Sequence, residues 1–271
     1  MQTMQKKKKY FIGDVHGCFK TLMALLDKLP NKGIGLDITF VGDVIDRGAD
    51  SIKIIELIME RGYTLIRGNH EDMMIDCWNN MGCEGWLGNG GDELAEEFDD
   101  MNTWDPERYS KIRKFIFGLP LYLVLENEED EEDFKFNNRK ILVTHAPSID
   151  FFPEEKTKNL GTGEMEYQLG RYEETIIWNR NFPRYTSDVY FNIVGHNPSH
   201  LFKEKYPSLF DENDLVLQEA FASIDTSCCY GGKLTCLVLP QNGDANDLEV
   251  IQQDSQEVFK RKVRQTRGYM G

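Results

Sequence analysis

Tyr10-Phe11-Ile12-Gly13-Asp14-Val15-His16-Gly17, Ile38-Thr39-Phe40-Val41-Gly42-Asp43-Val44-Ile45-Asp46-Arg47-Gly48 and Tyr63-Thr64-Leu65-Ile66-Arg67-Gly68-Asn69-His70-Glu71 decide the fold of this chain. Each begins as an apolar run of strand length and ends in polar residues able to bind or react. Between the first two, Leu22, Leu25, Leu26 and Leu29 recur at helical spacing before Pro30; between the second and third, Ile52, Ile54, Ile55, Leu57 and Ile58 give another helix-length apolar stretch. Strand, helix, strand, helix, strand at this spacing predicts a βαβαβ unit, a sheet covered by helices. Ligands of such sheets sit outside the carboxyl ends of the strands. The acids, amide and imidazoles of the three motifs should therefore share one edge.

From about Glu71 to Phe117 the pattern is mostly helical, interrupted by Gly85-Trp86-Leu87-Gly88-Asn89-Gly90-Gly91. Leu121 to Leu125 and Lys140 to Val143 read as strands. Val143-Thr144-His145 and Val194-Gly195-His196-Asn197 each run from an apolar stretch into a histidine. Segments around Leu215 to Ile224, Lys233 to Leu239 and Leu248 to Gln252 complete the strands. Residues 147–187, aromatic and weakly periodic, read as a cap or insertion. Residues 254–271, with Lys260, Arg261, Lys262, Arg264 and Arg267, read as a basic tail or helix. Without a repeat or a linker, residues 1–271 are expected to form a single domain.

Composition narrows the classes. Forty percent hydrophobic and 28% charged residues exclude wholesale disorder. Thirty-one basic against 46 acidic side chains leave a net charge of −15, which argues against a nucleic-acid binder. Seven carboxylates fall within Glu126 to Asp133, read as a solvated loop. No run approaches the roughly 18 apolar residues of a membrane span. Lys6 to Lys9 imitate the start of a signal peptide, but Tyr10 to Gly13 are too short for its apolar region. The six cysteines are expected as reduced thiols of a cytoplasmic protein, with Cys228-Cys229 buried and inert.

Four of the five histidines (His16, His70, His145, His196) stand at or just after strand ends, beside Asp14, Asp43, Asp46 and Asn69. Carboxylate, amide and imidazole without thiolate suit Mn²⁺, Fe or Zn²⁺ rather than a structural cysteine-zinc site or a Ca²⁺ cage. Asp14 and His16, of the same parity at one strand end, could hold one ion. Asp43 could bridge to a second ion held by Asn69, His145 and His196. Such a pair of ions clamps an in-line displacement at phosphorus.

Gly13-Asp14-Val15-His16-Gly17, Gly42-Asp43-Val44-Ile45-Asp46-Arg47-Gly48 and Arg67-Gly68-Asn69-His70-Glu71 resemble the three signature motifs of the phosphoprotein phosphatase (PPP) family of metallophosphatases. His145 and His196 match the two remaining metal histidines, so the resemblance spans roughly residues 8–240. It implies a four-layer αββα calcineurin-like fold, mixing α/β and α+β character, in which a β-sandwich is flanked by helices. It implies that Asp14, His16 and Asp43 hold the first divalent ion. Asp43, Asn69, His145 and His196 would hold the second; manganese is expected first, iron or zinc as alternatives. His70 would be the general acid and Asp46 its orienting partner. Arg47, Asn69 and Arg180 would contact the phosphate, Arg180 from Ile177-Trp178-Asn179-Arg180, with Arg171 and Arg184 as neighbouring competitors. The implied reaction is phosphomonoester hydrolysis by direct attack of a hydroxide bridging the two metals.

Cys18 after the first motif, Ala146-Pro147 after His145 and Ile224-Asp225-Thr226-Ser227-Cys228-Cys229-Tyr230-Gly231-Gly232 near the end look like the bacterial and phage-lambda-type protein phosphatases. The same features lie close to the symmetrical diadenosine tetraphosphatases. Phosphoserine or phosphothreonine protein is the expected substrate, with dinucleoside tetraphosphates and small phosphate esters as alternatives; no nucleic-acid or membrane partner is expected. A nuclease of the wider class would carry a histidine two positions after His196, where Pro198 stands. No cysteine is followed six positions later by arginine, as cysteine-dependent phosphatases require, and no P-loop is present. A pseudophosphatase that binds metal or a partner without turnover is the non-enzymatic alternative, against which the intact Asp46, Arg47 and His70 argue.

Overall fold

A computed structural model of the chain describes residues 7–125, 134–148, 173–183 and 186–259. The predicted βαβαβ unit is there: β1 (Lys8–Ile12), α1 (Phe19–Leu26), β2 (Ile38–Phe40), α2 (Ser51–Arg61) and β3 (Thr64–Leu65), with β1 to β2 and β2 to β3 parallel. Next come α3 (Asn69–Trp78), the short α4 (Glu84–Trp86), α5 (Asp92–Trp104) and α6 (Pro106–Phe117). The second half supplies β4 (Tyr122–Leu125), β5 (Lys135–Phe136), β6 (Arg139–Thr144), α7 (Glu173–Trp178), β7 (Tyr190–Val194) and α8 (Ser199–Lys205). It ends in β8 (Val216–Gln218), β9 (Phe221–Ser223), β10 (Lys233–Pro240) and β11 (Glu249–Asp254).

Two mixed sheets result. The first runs β11-β10-β1-β2-β3; the second runs β4-β6-β7-β9-β8, with β5 paired to β6. Alternation along the strands explains why they stack. In β1, Phe11 points into the core between the sheets while Tyr10 and Ile12 face the helices. In β10, Leu237 and Leu239 point inward; Leu234, Cys236 and Val238 point to the helices. The second sheet answers with Ile141 and Val143 from β6 and Phe191 and Ile193 from β7. Its outer face, through Leu142 and Tyr190, packs on Ile176 of α7. Helices, sheet, sheet and helix are the four expected layers.

One expectation is corrected. Cys77 and Cys83 are joined in a disulfide, so the reading of all six cysteines as free thiols fails. Left-handed Asn80 and Gly82 reverse the chain just beyond α3 and bring the two Cα atoms to 4.5 Å. Cys18, Cys228, Cys229 and Cys236 are free and buried, and burial pushes the thiols of Cys229 and Cys236 well up. The acidic run 126–133, most of the expected cap (149–172 and 184–185, with Arg171 and Arg184) and tail residues 260–271 lie outside the described residues. No helix among the described residues is long and apolar enough to cross a membrane.

Candidate active site

Five chain segments meet where the carboxyl ends of the two sheets adjoin. Asp14 and His16 lie in the loop after β1, Asp43, Asp46 and Arg47 after β2, Asn69 and His70 in the first turn of α3, His145 after β6 and His196 after β7. Asp14 and His16 do not share a strand face, as their equal parity would have it, because both stand beyond the end of β1, in a loop. The loops are stitched instead by backbone bonds: the N–H groups of Val15 and His16 donate to the Asp43 carbonyl at 3.1 and 3.0 Å. His16, Asp43, Asp46, Arg47 and His196 all adopt left-handed backbone, with φ between 46° and 69°. Non-glycine residues take this region rarely and at a cost, and such strain gathers at functional sites. Glu71 offsets part of it. Its buried carboxylate accepts the N–H groups of Gly68, Asp43 and Val44, each at 2.9 Å, and burial together with Asp43 raises its pKa to about 7.

Hydrogen bonds fix which imidazole nitrogens are free. His16 Nδ1 donates to the Ile45 carbonyl at 2.9 Å, and His145 Nδ1 to the Val41 carbonyl at 2.8 Å, leaving both Nε2 atoms with lone pairs. His145 Nε2 faces Asn69 Oδ1 at 3.0 Å, His196 Nδ1 at 3.2 Å and Asp43 Oδ2 at 3.3 Å. His196 Nδ1 is 2.9 Å from the same Asn69 oxygen. Ring nitrogens and oxygens converging this closely out of water must be reconciled by protons or by a cation among them. A divalent cation fits that requirement, and the donor set is imidazole, amide and carboxylate, as such a cation prefers. Asp43, His145 and His196 place ligand atoms within 4.8 Å of one another, and so do His16, Asp43 and His70. Asp43 belongs to both groups. Asp14 belongs to neither; its carboxylate accepts the backbone N–H of His196 at 3.1 Å.

The electrostatics follow from burial. Burial opposes ionisation of Asp43, but His145, His70 and His16 outweigh it and hold its carboxyl well below the usual range. Burial, with Asp225 and Asp43 nearby, holds Asp14 well above it. His16 is kept well below the ordinary imidazole value by burial and Arg47, and His196 by burial, His145 and Arg180. Asp225, which the sequence reading did not single out, is buried with its pKa raised to about 6. Burial opposes protonation of His145, but Asp43 outweighs it and raises the His145 pKa.

Beside this cluster, His70 Nδ1 is 2.6 Å from Asp46 Oδ2, and Arg47 Nη2 is 2.8 Å from His70 Nε2. The Arg47 guanidinium also reaches His16 and lies 5.3 Å from the Tyr230 ring centre. Arg180 donates from Nη1 to the His196 carbonyl at 3.1 Å, and Trp178 meets the His196 ring edge-on at 6.4 Å. The expected residues are thus all brought to one edge. Besides Asp225, two further residues belong to the site without any signal in the sequence that gives them a role. Glu71 reads in the sequence as the last residue of a motif, and Trp86, whose Nε1 is 3.0 Å from both Asp46 oxygens, as part of a glycine-rich interruption.

The family model for calcineurin-like phosphoesterases matches residues 8–216. The chain is 41% identical over 86 residues to serine/threonine-protein phosphatase 1 of Salmonella typhimurium, a match spanning 31% of this chain and 38% of that protein. It is 27% identical to serine/threonine-protein phosphatase 2 of Escherichia coli over 69% of this chain and 78% of that one. It is 43% identical to a symmetrical bis(5'-nucleosyl)-tetraphosphatase of Wigglesworthia glossinidia brevipalpis, over 84% of this chain and 94% of the other.

Proposed function

The chain belongs to the calcineurin-like phosphoesterases, metal-dependent hydrolases of phosphate esters, and on that premise we propose that it dephosphorylates phosphoserine and phosphothreonine in proteins. Two divalent ions, manganese first and iron or zinc as alternatives, would be held by Asp14, His16 and Asp43 on one side and by Asp43, Asn69, His145 and His196 on the other. Bound there, such ions would supply charge neutralisation of the phosphoryl oxygens and activation of water. The protein does the rest. Arg47, Asn69 and Arg180 grip and orient the phosphate. His70, held through Nδ1 by Asp46, presents Nε2 to the departing oxygen and gives it a proton. In the resting site Arg47 Nη2 lies against that Nε2; substrate phosphate would draw the guanidinium away and free it.

The observation that carries this reading is the 2.6 Å His70–Asp46 contact beside Asp43, the carboxylate common to both clusters of potential metal ligands. A metal-binding module without turnover has no use for that pair. The choice of phosphoprotein is supported by the groove of about 1190 Å³ that opens onto Arg47. Its walls carry Asp46, Asp50, Glu84, Asp92, Glu93 and Glu257 against Lys20 and Arg47. That balance disfavours a polyphosphate chain more than a peptide. Dinucleoside tetraphosphate is the second reading, favoured by the name of the Wigglesworthia relative. Metal-free protein reconstituted with Mn²⁺, Fe²⁺, Zn²⁺ or Mg²⁺ would be assayed on phosphopeptides, p-nitrophenyl phosphate and diadenosine tetraphosphate. A higher kcat/KM on phosphopeptides is expected; preference for diadenosine tetraphosphate would overturn the substrate assignment. Asp43→Asn with the fold retained should abolish turnover, and full activity there would refute the metal-dependent scheme.

A further inference from the structure

Asp46 stands on left-handed backbone (φ 69°), and Arg47 follows in the same region (φ 68°). From Oδ2 Asp46 takes the His70 Nδ1–H, so the direction in which His70 aims its other nitrogen depends on how the carboxylate is turned. The backbone of Asp46 is anchored, its N–H donating to Ser51 Oγ at 2.9 Å, but that leaves the carboxylate free to rotate. Trp86 removes the freedom. Its Nε1–H lies 3.0 Å from both Asp46 oxygens, and the indole is 2% exposed. Indole donates and never accepts, so the shared N–H fixes the plane of the carboxylate without removing its charge.

The segment around Trp86 is built to hold it. A Cβ on Gly91 would fall 2.2 Å from Trp86 Nε1, so the chain crosses the ring where only glycine fits. The Gly90 carbonyl accepts the Arg47 N–H at 3.0 Å. Cys83, three residues before Trp86, is tied to Cys77 near the end of α3, the helix whose first turn carries His70. One segment therefore holds Asp46 by a side chain and Arg47 by the backbone. We propose that Trp86 is a positioning residue for proton transfer, acting through Asp46 on His70. The inference rests on the reading of His70 as the acid.

Trp86→Phe keeps an aromatic ring at this position, smaller than the indole, and removes the N–H. In the metal-loaded enzyme it should lower kcat on a phosphoserine peptide about tenfold, the worth of one hydrogen bond to a charged group, with KM unchanged. On 2,4-dinitrophenyl phosphate, whose leaving group needs no proton, the loss should stay under about twofold. Gly91→Ala, which retains the indole but displaces it, should reproduce the same selectivity. Trp86→Phe should add nothing in an Asp46→Asn background. Equal losses on both esters, or losses that add to those of Asp46→Asn, would overturn the inference. His70→Asn in the same series separates the premises. If His70→Asn is selective for the poor leaving group and Trp86→Phe is not, Trp86 has no such role. If His70→Asn is not selective, the acid assignment itself is wrong and the Trp86 role falls with it.

Discussion

Gly195→Ala tests whether the two sheets place their ligands by direct contact. A Cβ on Gly195 would sit 1.9 Å from Asp14 Oδ1 and 2.9 Å from Val41 Cγ2. The first distance is about 1.5 Å short of ordinary contact, and Val41 is a buried core residue that cannot swing clear. Asp14 would have to yield. In moving it would leave the His196 backbone N–H, now 3.1 Å away. Overpacking costs about 1–3 kcal/mol, and losing a hydrogen bond to a charged acceptor costs about 1.5–3 kcal/mol. A displacement of about 1 Å at reacting groups lowers rates by about 100-fold. We therefore expect kcat/KM on p-nitrophenyl phosphate to fall by about two orders of magnitude. Metal binding followed by calorimetry should weaken in parallel, with circular dichroism unchanged. Gly195 is not in left-handed backbone, so conformational strain of alanine does not confuse the outcome. Wild-type metal affinity and rate in the Gly195→Ala enzyme would show that Asp14 is not placed by this contact.

Arg47→Ala should raise KM and lower kcat together by about tenfold or more each, since the guanidinium is assigned to phosphate in both ground and transition states; steady-state kinetics on one ester would decide, and an unchanged KM would remove Arg47 from the phosphate site. Reducing the Cys77–Cys83 disulfide, or Cys77→Ser, should cost about 2 kcal/mol for a loop this short, read as a lower midpoint in urea; no shift would mean the bond leaves stability untouched. Alkaline pH should destabilise the protein through Cys236, which is wholly buried and held above its ordinary value of 9.0. The unfolded thiol releases its proton first, so the stabilising contribution is complete below pH 9 and falls by about 1.4 kcal/mol per pH unit above it. Cys236→Ala should flatten that slope in urea titrations between pH 9 and 10.5, and an unaltered slope would refute the assignment.

The amino-acid sequence alone determined the βαβαβ start, because short apolar runs and helical leucine and isoleucine spacing are local patterns that survive burial. It also determined the identity of the candidate ligands. Asp14, His16, Asp43, Asn69, His145 and His196 stand at the ends of readable strands, and their side-chain types already state what they can bind. The tertiary structure decided everything that depends on residues far apart in the chain. Left-handed backbone at His16, Asp43, Asp46, Arg47 and His196 leaves no mark in composition, since it is imposed by loops stitched to one another. Glu71 reads as an ordinary helix-start acid until its carboxylate is seen receiving the N–H groups of Asp43 and Val44. Trp86 contacts Asp46 from 40 positions away, within a stretch whose glycines conceal any periodicity. Cys77 and Cys83 are paired by a reversal at Asn80 and Gly82 that no hydrophobic pattern encodes. Local sequence specifies chemistry and element type because both are properties of a few neighbouring residues. Orientation of the reacting groups is a property of packing between distant ones, and it exists only once the two sheets have closed.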